Sequence, residues 1–166
     1  MECLRILKAA MIFMIALVVL SVALVGYFFA TAKVSISAYS ANGVQASAKA
    51  ELFEQIKDAV QQNTFTGTLF QTGEMGTADQ YAFITYTLRL NNQCLVPVDM
   101  VEVQVVPDPN DVLQIGDTAV HAMDAKTQGD VSATILTTKD SHSIRELIVT
   151  YYVWGVSFSI RETYGG

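Results

Sequence analysis

The pattern of apolar and polar residues divides the chain into one long apolar run and a longer part with short periodic segments. The run from Ala9 to Ala32 contains no charged residue. As a helix it reaches roughly 36 Å, which is enough to cross a hydrocarbon core of about 30 Å. We therefore predict a transmembrane helix at 9–32, a short N-terminal segment at 1–8, and one further domain from Lys33 onward.

The apolar run is interpreted as an uncleaved signal anchor. Secretory signal peptides have apolar regions of about 7–15 residues, much shorter than this one. The alternative is cleavage before Lys33, because residues 30–32 (Ala-Thr-Ala) fit the small-x-small pattern of signal peptidase sites. Arg5 and Lys8 precede the run and only Lys33 follows it closely, so the positive-inside rule predicts a cytoplasmic N-terminus and an extracytoplasmic domain.

After the anchor, the spacing of apolar residues indicates a lead-in and one helix, together covering 33–66. Val34–Ser40 alternates as a short strand or an extended lead-in, and Asn42-Gly43 is a turn signal. Helical spacing from Ser47 to Gln62 predicts an amphipathic helix on the domain's own sheet; the alternative is a helix on the membrane surface or on a partner. The apolar stripe consists of Ala48, Leu52, Ile56, Ala59 and Val60.

The remaining residues, 67–166, predict strands separated by turns. Period-two alternation at Tyr81–Leu90 and Val98–Val106 predicts two strands, and the break at Pro107–Asp111 follows the second. Further strands are predicted at 112–115, 119–123, 131–137 and 145–154, with 156–163 continuing the last of these after Gly155. Short strands at this spacing predict an antiparallel β-sandwich that carries one amphipathic helix.

The stretch Leu88–Val105 (LRLNNQCLVPVDMVEVQV) resembles the immunoglobulin-like domains of the LEA14/FxLYD group in its strand, Asn turn, Pro-Val pair and alternating-Val strand. Members of that group often follow a single membrane helix, so the resemblance implies an immunoglobulin-like β-sandwich here. Residues 107–110 (Pro-Asp-Pro-Asn) stand where the group has Tyr-Asp-x-x-Gly. The segment Arg145–Gly155 (RELIVTYYVWG) is similar to single-pass membrane proteins of Gram-positive bacteria. Neither resemblance supplies catalytic residues.

Charge and cysteine usage narrow the function classes. Without Glu2, Arg5 and Lys8, the chain's net charge of −6 becomes −7 for the exported part. Such a surface repels nucleic acid, so we expect no nucleic-acid partner. Cys3 and Cys94 are predicted to lie on opposite sides of the membrane, which leaves the exported domain with one free thiol and no disulfide.

The residue inventory offers few groups for catalysis. Asp140, Ser141 and Ser143 surround His142, but neighbouring residues point apart, whereas a serine triad is assembled from distant positions. His121 stands alone. Cys94 is interpreted as a buried or half-buried structural residue rather than a nucleophile. We predict no catalytic residues and no enzyme.

Metal and cofactor sites are likewise not predicted. Calcium prefers hard oxygen ligands, which Asp108, Asn110, Asp111 and Asp117 offer in one region. These residues lack the spacing of a calcium loop, and Asp and Asn are common turn formers, so the turn interpretation is favoured.

Aromatic residues cluster in two predicted strands and are interpreted mainly as core. The alternative is a recognition patch for glycan or protein. The residues are Tyr81, Phe83 and Tyr86 in one segment, and Tyr151, Tyr152, Trp154 and Phe158 in the other.

Together these observations favour a membrane-anchored, non-enzymatic β-sandwich of the cell envelope, held in the bilayer by 9–32. Its predicted partner is another envelope protein or a second copy of the chain. The alternative is a subunit of a surface filament or appendage that assembles through the apolar N-terminal helix. An envelope hydrolase or redox enzyme is a third hypothesis, for which the residue inventory is poor.

Overall fold

A long apolar helix begins the computed structural model, which describes residues 2–117, 119 and 121–164. This helix, α1, spans Glu2–Ala30, and its segment Arg5–Ala30 is long and apolar enough to cross a membrane. It starts earlier than the predicted 9–32 because Arg5 and Lys8 are good helix formers that extend it at the N-terminus. Residues 31–33 then lead directly into the first strand.

The rest of the chain forms an antiparallel β-sandwich of two sheets with one amphipathic helix, which confirms the predicted fold class. The five-stranded sheet has the order β1-β3-β7-β5-β2, and the four-stranded sheet has the order β6-β4-β8-β9. The elements are β1 (Val34–Gln45), α2 (Ala50–Gln61), β2 (Gly67–Leu69), β3 (Tyr81–Asn92), β4 (Val98–Val105), β5 (Asp111–Ile115), β6 (His121–Met123), β7 (Gln128–Thr138), β8 (Arg145–Val153) and β9 (Val156–Tyr164).

Alternation along the strands builds the core between the two sheets. In β4, Val101, Val103 and Val105 are buried and the residues between them are exposed, as predicted. The facing strand β3 buries the alternate residues Ile84, Tyr86, Leu88 and Leu90. The predicted strand 119–123 is observed as His121–Met123, and Val120 lies outside the described residues.

The predicted turn at Asn42-Gly43 is wrong, because these residues lie inside β1. Asn42 pairs with Thr85 and Gly43 with Ile84, in a ladder that joins β1 to β3 from Val34 to Gln45. The hydrogen bonds of this long ladder outweigh the local turn preference of an Asn-Gly pair. As a result, β1 is an edge strand of the sandwich itself, which therefore begins at Val34 and not at residue 67.

The predicted continuation of one strand through Gly155 is also wrong. Trp154 (φ 49°) and Gly155 (φ 79°) form a two-residue turn, and β8 and β9 pair as an antiparallel hairpin closed by Val153 and Val156. Positive φ at both central residues is the geometry of a type I′ turn, which suits the twist of a hairpin. A left-handed backbone conformation costs a bulky residue such as Trp154 about 1–2 kcal/mol. Because bulky residues are therefore rare in such turns, the sequence did not indicate a turn here.

Helix α2 packs on the outer face of the five-stranded sheet, as predicted, with Ile56 and Val60 of the predicted stripe toward the sheet. Phe53 and Ile56 are buried, whereas Leu52 is exposed. They contact Phe83 and Leu136, a cross-strand pair whose side chains point away from the inter-sheet core. Phe53 anchors the helix because its large ring is fully buried, whereas Leu52 and Ala48 of the predicted stripe are exposed.

We predict that Phe53→Ala lowers the free energy of unfolding by about 3–5 kcal/mol, because it opens a cavity between α2 and the sheet. Leu52→Ala on the adjacent exposed position is the matched control, and we expect a loss under about 1 kcal/mol. Chemical denaturation of the full chain in detergent micelles measures both. Equal losses for the two variants would contradict this packing.

Candidate functional site

The most polar buried site in the sandwich is an ion pair between Arg145 and Asp111. Nε and Nη2 of Arg145 each donate to an oxygen of Asp111 at 2.7 Å, and both residues are buried. This pair joins the start of β8 in one sheet to the start of β5 in the other. A bidentate, fully hydrogen-bonded pair offsets the desolvation of its charges, so it links the two sheets.

Arg145 also holds the loop that precedes β8. Its Nη2 donates to Ser141 Oγ at 2.8 Å, and its Nη1 donates to the backbone oxygens of His142 at 2.9 Å and Ile144 at 2.7 Å. The His142 ring completes the group, with Nδ1 at 3.1 Å from Nη1. Because a guanidinium can only donate, His142 Nδ1 is the acceptor in this contact.

This arrangement assigns roles to the residues around His142. The Ser141 hydroxyl and the His142 ring are each bonded to Arg145 and not to each other, while the carbonyl of Ser143 accepts a hydrogen bond from Tyr86 Oη at 2.8 Å. His142 Nε2 lies 3.6 Å from Asp108 Oδ2. The cluster therefore closes the end of the sandwich around a guanidinium.

The electrostatics agree with a structural ion pair. Burial disfavours the charged form of Asp111, but hydrogen bonds led by that from Arg145 outweigh burial, and the pKa of Asp111 is lowered. The hydrogen bond to Asp111 raises the pKa of Arg145. Burial raises the pKa of Tyr86 beside them to about 12. All three groups therefore hold one protonation state at neutral pH.

The residues weighed as calcium ligands do not converge on one point. Asp111 is bound to Arg145, and the carbonyl of Asn110 accepts from Thr137 Oγ1. Asp117 pairs instead with His121, at 2.6 Å between Oδ2 and Nε2. Among residues 2–117, 119 and 121–164, no three His, Cys, Asp or Glu side chains come close enough to hold a metal ion.

Cys94 lies in the inter-sheet core and is 1 % exposed. Its backbone N–H donates to Asn92 Oδ1 at 2.9 Å, and the Asn92 amide in turn donates to carbonyls of both neighbouring loops, including that of Asp124 at 2.9 Å. The buried Asn92 thus fixes the β3–β4 turn, and Cys94 fills the core beneath it, in agreement with a structural cysteine.

The aromatic residues divide into core and surface. Phe83, Tyr86 and Tyr151 are buried, whereas Trp154 at the β8–β9 turn is 53 % exposed. The Trp154 ring contacts the end of α1, with centroids 5.5 Å from that of Phe28 and 5.7 Å from that of Phe29. The core interpretation is therefore confirmed for Phe83, Tyr86 and Tyr151 and wrong for Trp154, which the sequence placed in a strand. The remaining three, Tyr81, Tyr152 and Phe158, are half-buried.

The edge strand β1 presents the longest free backbone of the five-stranded sheet. It pairs on one side with β3 and has no strand on its other side among the described residues. Side chains 37–43 are exposed, and β1 contains no charge and no proline. Edge strands normally carry Lys, Pro or repeated bulges against further pairing; β1 has one bulge, at Ser37. The sequence did not predict this edge, because Asn42-Gly43 indicated a turn inside the segment that forms β1.

We predict that Asp111→Asn lowers the free energy of unfolding by about 3–5 kcal/mol, because it leaves Arg145 charged and unpaired in the core. The double variant Asp111→Leu/Arg145→Met is the matched control and should recover most of that loss, since it removes both charges. Thermal unfolding of the full chain in micelles, followed by near-UV circular dichroism, compares the three proteins.

Acid titration gives a second measure of the same pair. The folded pKa of Asp111 lies below its ordinary value of 3.8, so its contribution is complete above that value and is lost as the pH falls through the folded pKa. The natural chain should therefore lose more stability on acidification than the double variant. Identical acid profiles would show that the ion pair contributes nothing.

No family model and no curated protein matches this chain. Among solved structures, it is similar to the cupredoxin domain of amoB from Nitrosocaldus yellowstonii, with 11 % identity and a TM-score of 0.33 over 78 % of this chain and 88 % of that one. Similarity at this level carries no functional inference.

Proposed function

We propose that this chain is a single-pass, membrane-anchored interaction module of the cell envelope, with a cytoplasmic N-terminus and an extracytoplasmic, non-enzymatic β-sandwich. The anchor is α1, whose apolar length matches a bilayer. The positive-inside bias from Arg5 and Lys8 supports the orientation. The polar groups buried with Arg145 satisfy one another, which supports a structural rather than a chemical use for them.

The observation that carries the binding role is the open edge of β1. An extended peptide added to a sheet edge gains main-chain hydrogen bonds along its whole length, and its side chains contact the alternating faces. Most residues from Ala38 to Gly43 are small and exposed. Tyr39 contacts Tyr164 of β9, with ring centroids 4.4 Å apart.

The occupant we propose is an extended segment of a different envelope protein. β1 begins where the chain leaves the bilayer, so two copies in one membrane present β1 in the same direction. All strand pairs of this sandwich are antiparallel, and antiparallel addition requires the opposite direction. A segment of another protein has no such restriction.

The filament or appendage alternative rests on α1. Residues 5–27 of this helix are all exposed, and only its last turn contacts the sandwich. The same surface that fits lipid would therefore also fit the helices of other copies, in a bundle at the centre of a filament.

We predict that the exported domain is reached from outside the cell. Cys94 is buried, so an impermeant maleimide should not label the natural chain on intact cells. A thiol introduced by Ser159→Cys on the exposed strand β9 should be labelled on intact cells, and Cys3 only after permeabilisation. Labelling of Ser159→Cys only after permeabilisation would contradict the proposed orientation.

We predict that lysines on β1 prevent partner binding. A photo-crosslinker is attached to Ser40→Cys in a Cys3→Ser background, and native membranes are irradiated to give one adduct with another protein. Ala38→Lys/Asn42→Lys, on the same face as Ser40, should reduce that adduct about tenfold, because charged edge residues oppose strand addition.

The matched control places the same two charges on the other sheet's edge. Ser157→Lys/Ser159→Lys on β9 should leave the β1 adduct unchanged. An adduct insensitive to both pairs would contradict binding at β1. A ladder of adducts made of this chain alone would replace the proposal with the filament alternative.

A further inference from the structure

We propose that the end of the sandwich nearest α1 lies on the bilayer surface and is held there by an apolar patch. The patch, called the membrane seat, consists of Leu95, Trp154 and Val156. Its occupant is the headgroup and upper acyl-chain region of the same membrane that α1 crosses. This inference rests on the proposed anchor and adds that the domain is seated on the lipid rather than tethered above it.

The strand register brings the seat to the α1 end. β3 ends beside the start of β1, where Asn92 pairs with Val34 and the backbone of Gln93 donates to Lys33 O at 2.9 Å. Leu95 follows in the β3–β4 loop. The β8–β9 turn lies at the same end, because Tyr152 pairs with Asp99 at the start of β4.

Trp154 connects the seat to the anchor. Its ring packs edge-on against Phe28 and Phe29 in the last turn of α1, and Phe29 stacks on Phe158 with centroids 6.5 Å apart. Tyr27, which directly precedes Phe28 in α1, is exposed. Aromatic rings at the end of a membrane helix mark the depth of the interface, which places Trp154 at that depth.

The turn does not explain why residue 154 is a tryptophan. Its φ of 49° is a left-handed conformation that Asn, Asp or Gly adopts readily and a bulky residue rarely adopts. The contacts with α1 cover only part of the ring. The rest of Trp154, together with Leu95 (49 % exposed) and Val156 (47 % exposed), forms apolar surface at the end facing the membrane.

The charged residues at this end are compatible with a lipid surface, but they contribute less to the proposed contact than the apolar side chains of the seat. Lys33 and Lys126 are exposed at this end, and the amine of Lys126 donates to Gln93 O at 2.6 Å. Asp99 and Asp124 are exposed there too, so the end has no strong net charge. The seat is therefore expected to work on zwitterionic lipid, because the apolar side chains contribute most of the contact.

The connection to α1 makes the seat a rigid one. Residues 31–33 leave little slack, and Thr31 N and Oγ1 both donate to Tyr27 O, at 3.0 and 2.8 Å. The backbone N–H of Val34 then donates to Tyr151 Oη at 3.4 Å inside the core. The helix therefore holds the sandwich close to the lipid before any of the seat residues make contact.

The experiment uses Trp154, the one tryptophan in the chain, as its probe. The full chain is reconstituted in phosphatidylcholine vesicles that contain lipid brominated near the carbonyl end of the acyl chains. Bromine at that depth should reduce Trp154 emission at least about twofold, and iodide in the water should quench it weakly. Strong quenching by iodide without quenching by the brominated lipid would overturn the proposal.

Paired variants separate the seat from the anchor. Leu95→Ser/Val156→Ser should raise iodide quenching at least about twofold, whereas Ile144→Ser, on an equally exposed apolar residue (47 %) in the β7–β8 loop at the far end, should not. If both variants behave alike, the seat is wrong. Flotation with the vesicles tests the anchor independently, because a chain that floats but fails the quenching test refutes the seat and leaves the proposed function in place.

Discussion

The short connection between α1 and β1 determines which end of the sandwich lies beside the helix. Residues 31–33 join an apolar helix to a strand whose first residue, Val34, is buried in the inter-sheet core. One end of the sandwich therefore lies beside the helix, together with the start of β1 and the loops next to it. Aromatic contacts of Phe28 and Phe29 with Trp154 complete the junction, so the helix and domain meet through packed side chains and not through a flexible linker.

Different interactions stabilise the two ends of the sandwich. At the far end, the buried Arg145–Asp111 pair joins the sheets and orders the loop at His142 through hydrogen bonds. At the α1 end, Asn92 orders the loops, and the apolar side chains that remain outside them are exposed beside the helix. Between the ends, β1 offers an open backbone edge. A polar far end, an apolar end beside α1 and an open edge between them suit the domain we propose, which rests on a membrane and binds along its side.

The alternation of apolar and polar residues predicted most strands. In β3 and β4 it also predicted which side chains are buried between the sheets. It failed where a local signal competed with a long-range one. Asn42-Gly43 lies in a strand because β3 supplies a ladder partner, and Trp154 lies in a turn because the hairpin with β9 requires a reversal there. The surfaces we propose for binding arise at these two places, so local patterns did not reveal them.

Length, charge and periodicity are local properties, and they were enough to predict an apolar helix of membrane-spanning length followed by an antiparallel β-sandwich. It also indicated a structural role for Cys94, which is buried. Only the tertiary structure decided that Arg145 meets Asp111, that β1 is an open edge, and that Trp154 stands exposed beside α1. Each of these depends on which distant strands pair, and pairing is chosen by the sum of contacts over the whole domain and not by any one segment.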